Sequence, residues 1–112
     1  MKKFFVFYMA HEGDFKKAMA NMPKKTPEEH KKSMEGWGIW MKSKGGVVDM
    51  GAPLGKTKRV TPSEISDMRN EVGGYSIIEA ASHEEAAKKM QDSPHFTMMQ
   101  GGWIEVMEVM AM

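Results

Sequence analysis

The chain opens on KKFFVFYMA, residues 2–10, where aromatic and β-branched side chains fall on odd and even positions alike. A run that is apolar on both parities predicts a strand covered on both faces, and therefore a central one. Residues 11–25 are polar and broken by Gly13 and Pro23, which reads as a loop with a short helical turn around DFKKAMANM, 14–22. The period then changes: Met34, Trp37, Trp40 and Met41 recur at three- and four-residue spacing, one stripe of a helix. Thr26-Pro27-Glu28-Glu29 starts that helix, with Thr as N-cap, Pro at the first helical position and Glu closing a capping box. It should run to about Lys44 and stop at Gly45-Gly46. Gly36 and Gly38 lie inside it at a cost of about 1 kcal/mol each relative to Ala, so the helix need not be straight.

GVVDMG, 46–51, reads as a second strand ended by Gly51 and Pro53. Residues 53–72 have no clear period, a length expected of a functional lid or of a segment holding a small hairpin, and a short strand is expected near 58–60. Behind Gly73-Gly74, YSIIEAA (75–81) is a third strand. Ser82-His83-Glu84-Glu85 is a second capping box that opens a helix over 83–91, stopped by Asp92-Ser93-Pro94. HFTMMQGG, 95–102, reads as a loop, and WIEVMEVM, 103–110, as the fourth strand. The order β-α-β-β-α-β predicts an α+β fold, the ferredoxin-like plait, with two helices on one face of an antiparallel sheet.

Side chains alternate across a strand, so each strand divides into two faces. The aliphatic sets Ser76/Ile78/Ala80, Ile104/Val106 and Val48/Met50 belong under the helices. The other face then carries Tyr75, Trp103, Asp49, Glu79 and Glu105, with one parity of FFVFYM. So much aromatic area calls for a cover, either a second copy of the chain or a ligand. Carboxylates in such a cleft would be partly desolvated, which suits general acid or base work; on the bland alternative, Asp49 and the two glutamates only solubilise strand ends.

The four histidines show neither HxxxH nor HExxH spacing, and with no cysteine the chain offers no expected metal site, disulfide or thiol nucleophile. His83 and His30 fall in the first turns of helices, where exposure is expected. His95 and His11 lie in loops beside strands, where a group titrating near neutrality is most useful. GAPLGKT, 51–57, imitates a phosphate-binding loop, but only three residues separate its glycines and TKRVTPSE follows where a helix must begin, so nucleotide binding is not expected. That segment is instead a turn leading from Asp49 into the 53–72 loop, with Lys56 at its rim. No cofactor is expected.

At 112 residues the chain has room for one domain. It has 14 Met and a single leucine, Leu54, so Met serves as core filler, a role its flexible thioether suits. Net charge is +1, with the basic residues concentrated before residue 60 and the acidic ones after it. This is the pattern of complementary surfaces, or else of a basic face for an anion. The apolar run near the N-terminus lacks a signal-peptide cleavage pattern, and no run reaches the eighteen or so residues of a membrane span. A soluble, cytoplasmic protein is expected.

Trp37 and Trp40 before GVVDMGAPLG, then GGYSIIEAASHEEAAKKM, SPHF and GGWIEVMEV, resemble the YCII-related proteins of the dimeric α/β-barrel superfamily, which includes the DGPF-domain branch. The resemblance spans essentially the whole chain and implies a ferredoxin-like protomer whose sheet packs on a second copy. The superfamily holds lyases, isomerases and cofactor-free oxygenases beside members of unknown activity. Two departures limit the carry-over. TPSEISDMRNEV before Gly73 has no Asp-Gly-Pro-Phe, and His30, in the place of a family His proposed to pair with an Asp, stands far from Gly51.

The leading expectation is a homodimer binding a small aromatic or cyclic metabolite beside the sheet. Trp37, Tyr75, Trp103 and Glu105 would contact the ligand, and His95 with Asp49 or Glu79 would move protons in a lyase- or isomerase-like step. His30 and His11 are the lesser candidates. The rival is a non-enzymatic binding or regulatory module of the same fold. RNA binding comes last, because the third strand carries one aromatic, Tyr75, and Glu79 would repel phosphate.

Overall fold

A computed structural model of the chain describes residues 1–21, 26–99 and 101–111. Its elements are β1 Lys2–Met9, α1 Glu12–Asn21, α2 Pro27–Lys44, β2 Val47–Pro53, β3 Thr57–Val60, β4 Ile65–Met68, β5 Val72–Ala80, α3 His83–Lys89, α4 His95–Met98 and β6 Trp103–Glu108. Four strands form one sheet in the order β2-β5-β1-β6, and every neighbouring pair is antiparallel. With the separate β3-β4 ribbon and the helices α1 and α4 set aside, the path β1-α2-β2-β5-α3-β6 is the ferredoxin-like plait, as the order of elements predicts.

Both expected N-caps form. Glu29 N–H donates to Thr26 Oγ1 at 3.2 Å and Glu85 N–H to Ser82 Oγ at 3.1 Å. These bonds satisfy helix-end donors that would otherwise lack partners. α2 and α3 then lie on one face of the sheet. Met41 from α2, with Ala86 and Met90 beside α3, closes over Phe4, Val6, Tyr8, Ile78 and Ala80 in a single buried cluster. Each large apolar side chain withdrawn from water there contributes about 1.5–3 kcal/mol.

Several local expectations change. The 11–25 segment carries a ten-residue helix, α1, rather than one helical turn; Met22 and Pro23 lie outside the described residues. The supposed loop at 95–102 contains the short helix α4. The segment 53–72, by contrast, holds a small hairpin with a strand at 57–60 as expected, the β3-β4 ribbon, with Lys58 opposite Asp67 and Val60 opposite Ile65. β1 is central, yet helices cover only one of its faces: Phe4, Val6 and Tyr8 are buried, while Phe5 and Phe7 on the other side are half-buried.

The face assignment holds for β5 and β6 and fails for half of β2. Val47 pairs with Ile78 and packs on the core, whereas Val48 is 46% exposed. The cause is a bulge between Val47 and Asp49, which spends one extra residue and reverses the parity. A second irregularity between Asp49 and Ala52 contains Gly51 at φ 76°. A Cβ on Gly51 would stand 1.6 Å from the Tyr75 carbonyl oxygen, so only glycine fits. Pro53 ends β2 on the sheet's edge, where a missing N–H costs no ladder bond.

Candidate functional site

The face of the sheet away from α2 and α3 is where the aromatic side chains gather. Phe5 stacks on Phe7 with ring centroids 4.8 Å apart and on Tyr75 at 5.5 Å. The register explains the cluster: Phe5 opposes Ile77 and Phe7 opposes Tyr75 across β1 and β5, while Phe7 opposes Glu105 and Met9 opposes Trp103 across β1 and β6. Strand alternation alone leaves the orientation of FFVFYM open. Pairing with Tyr75 assigns Phe5 and Phe7 to this side.

Where β2 leaves the sheet for the ribbon, a groove of about 410 Å³ opens. Phe7, Leu54 and Val72 form its apolar part, and Lys56, Thr57, Lys58 and Asn70 contribute its polar groups. Lys58 Nζ is engaged by Asp67 Oδ1 at 2.5 Å. Asn70 Oδ1 accepts from Val72 N–H at 2.9 Å.

Beside Asn70, the side chain of Glu71 reaches His11, with Oε2 2.9 Å from Nδ1. The His11 ring lies 5.0 Å from that of Trp103, whose indole N–H donates to Glu105 Oε2 at 2.8 Å. Trp103, Glu105, His11 and Glu71 therefore form one polar and aromatic rim. A histidine whose Nδ1 meets a carboxylate keeps Nε2 for another partner, the arrangement in which an imidazole accepts or delivers a proton. Glu71 was invisible as a candidate from sequence. It stands just before β5, and the pairing of Val72 with Met9 together with the bond from Ala10 N–H to the Glu71 carbonyl brings it to the end of β1.

The other predicted residues are not brought together. His95 is 6% exposed and its Nε2 lies 2.8 Å from the Met9 carbonyl oxygen. Because a carbonyl only accepts, Nε2 carries the hydrogen and donates it. The imidazole thus ties α4 to the end of β1. Gly102 makes the approach possible, since a Cβ there would stand 2.9 Å from His95 Nε2. The His95 ring packs 5.6 Å from that of Tyr8, a side chain of the helix-covered face.

Asp49 lies on the opposite face, paired with Ile77, and its Oδ1 accepts the Gly51 N–H at 2.8 Å. That bond holds the irregular end of β2. In register, Ile77 is level with Phe5, and His95 meets Met9 four residues along β1. The two groups are therefore separated by roughly 13 Å of strand as well as by the sheet. Glu79 is on the open face but opposes Lys3, further still from His95. His95 with Asp49 or Glu79 is not a dyad in this fold.

Trp37 is also on the helix side, edge-on to Tyr8 at 4.9 Å, and cannot share a ligand with Tyr75 and Trp103 through the sheet. The His30 side chain lies outside the described residues. His83 is exposed, as expected; its Nε2 lies 2.7 Å from the Val106 carbonyl oxygen and its ring is tilted against Phe4 at 5.2 Å.

Burial on the helix side has its own polar device. Ser76 Oγ donates to the Met50 carbonyl at 2.8 Å, so its one proton is spent and it accepts from Tyr8 Oη at 2.9 Å. Burial raises the Tyr8 pKa, and the bond to Ser76 only partly offsets it. Among the described residues no buried side-chain nitrogen or oxygen lacks a partner, and no group of three or more His, Asp or Glu is placed to hold a metal ion.

No protein-family model and no curated protein matches the chain. One solved structure similar to it is 5-chloro-2-hydroxyhydroquinone dehydrochlorinase (TftG) from Burkholderia phenoliruptrix, in complex with 2,5-dihydroxybenzoquinone. The likeness covers 92% of this chain and 90% of that one, at a TM-score of 0.43 and 16% identity. A likeness of that size carries nothing about activity. No described helix is long and apolar enough to cross a membrane.

Proposed function

We propose that this chain binds a small aromatic or cyclic metabolite on the open face of its sheet, at the end where β2 passes into the β3-β4 ribbon. The observation that carries the reading is the stacked Phe5, Phe7 and Tyr75 ladder running into the groove. Its volume of about 410 Å³ suits a ligand of one or two rings. The far end of the same face, around Phe5, Ile77 and the 46%-exposed Met107, is the surface on which a second copy would pack. A cytoplasmic homodimer of a single YCII-related domain fits this arrangement. Covering that end leaves the groove a mouth.

For proton transfer the reading assigns His11, oriented by Glu71, in place of His95, which is spent on a backbone carbonyl. A lyase- or isomerase-like step needs a base that faces the ligand, and His11 stands over Trp103 at the rim. The rival reading is binding without chemistry. It is favoured by the exposure of the pair, whose side chains are 68% and 50% accessible.

Titration with a panel of one- and two-ring aromatics, followed by backbone amide NMR shifts, tests the site. Shifts gathered on Phe5, Phe7, Tyr75 and Val72 are expected, and shifts confined to α2 and α3 would defeat the proposal. Bound enolisable cyclic ketones should then incorporate solvent deuterium, and His11→Asn should abolish it. Binding without incorporation selects the non-enzymatic module.

A further inference from the structure

Resting on that reading, we infer that the ligand is anionic: an aromatic or cyclic carboxylate whose ring lies against Phe7 and whose carboxylate is held by Lys56 and Asn70. The groove's lining contains two ammonium groups and, among the described residues, no carboxylate. Lys58 is neutralised by Asp67 at 2.5 Å, whereas Lys56 makes no ion pair among the described residues. One cation is thus left for the occupant.

Asn70 narrows the choice further. With Oδ1 holding the Val72 N–H, the amide is fixed in orientation and its NH2 group is what remains to offer a ligand, as a donor. An acceptor-only group of single charge with two oxygens matches one ammonium and one amide NH2. A phosphate would bring a second charge with no second free cation to meet it. The backbone around Lys56 does not supply a phosphate cradle either, because Gly51 to Pro53 belong to β2 and Thr57 begins β3, so no helix N-terminus follows.

The probes are 2-naphthoate and its neutral isostere 2-naphthamide, titrated into the full chain at low salt and read by amide shifts. Naphthoate is expected to bind about tenfold more tightly, a difference worth about 1.4 kcal/mol. The preference should shrink as salt screens the pair. Lys56→Gln should reduce it to about twofold, mainly through weaker naphthoate binding, and Lys56→Arg should keep most of it. Phe7→Ala should weaken both probes.

Equal affinity of the two probes, or a preference untouched by Lys56→Gln, would overturn the anionic assignment and leave the aromatic site standing. Failure of both probes to shift Phe7 and Val72 overturns the site itself and the assignment with it.

Discussion

The two faces of one four-stranded sheet are built from alternate residues of the same strands, and they do different work. On the helix side, Phe4, Val6, Ala80 and Ile78 are at most 1% exposed, and the polar groups present, Tyr8 and Ser76, are bonded to one another in a directed chain. On the other side Phe5, Phe7 and Tyr75 are stacked yet half-buried, interleaved with Asp49, Glu79 and Glu105. Close packing determines stability on the first face. On the second, apolar area stays half-exposed with carboxylates and a groove beside it, and it is there that ligand binding is proposed.

The sharpest way to break the contrast is to apply the same truncation to both faces. Phe4→Ala should destabilise the chain by about 3–5 kcal/mol, read as a lower denaturant midpoint at unchanged slope. Phe7→Ala should cost only about 1 kcal/mol, since a half-buried ring yields half the transfer energy, while groove binding is weakened. Similar costs at the two positions would mean that the open face is already a sealed core.

Next in size is Gly51→Ala. The methyl group would collide with the Tyr75 carbonyl in a left-handed conformation, and a loss of about 2 kcal/mol or more is expected by thermal or chemical unfolding. Asp49→Ala removes the acceptor that steadies the same bend and should cost about 1 kcal/mol. Were Asp49 a free catalytic carboxylate, its loss would leave stability unchanged.

Ser76→Ala should cost about 1–3 kcal/mol by leaving the buried Tyr8 hydroxyl only the weak Met41 thioether acceptor at 3.8 Å, and Tyr8→Phe in the same chain should recover part of that loss. Tyr8 also supplies a pH signature. Its folded pKa lies above the ordinary 10.0, so its contribution is complete below pH 10 and is lost as pH rises through the folded value. Alkaline titration of stability should therefore fall more steeply in the parent than in Tyr8→Phe.

The smallest effect belongs to the exposed pair of Asp92 with Lys44 at 2.6 Å. The bonds from Lys44 and then from the Trp40 indole lower the Asp92 pKa below 3.8. Its contribution is present above pH 3.8 and disappears as pH falls through the lowered value. Asp92→Asn should be slightly less stable than the parent at neutrality, and the difference should close below about pH 4, as seen in acid unfolding curves.

Much of the fold was legible because its signals are local. Thr26-Pro27-Glu28-Glu29 and Ser82 through Glu85 cap helices through bonds spanning three residues. Ser76, Ile78 and Ala80 declare one face of β5 through a period of two. Less of the site was legible. Trp37 carries the same side chain as Trp103, and which side of the sheet each occupies depends on whether a helix or a strand presents it. The bulge in β2 reversed Val47 and Val48 without any residue between them to announce it. His95 and His11 both stand in segments beside strands, yet one meets a carbonyl and the other a carboxylate.

The sequence by itself determined the order of elements, the caps, the central place of β1 and the presence of more aromatic area than one core requires. Those follow from periodicity and from side-chain chemistry within a turn or two. Only the tertiary structure decided that Glu71 meets His11, that Asp49 and His95 stand on opposite faces, and that Lys56 and Asn70 share a groove with Phe7. Each is a meeting of segments distant in the chain, fixed by strand register and by bulges whose cost and benefit are settled against neighbours rather than within the segment itself.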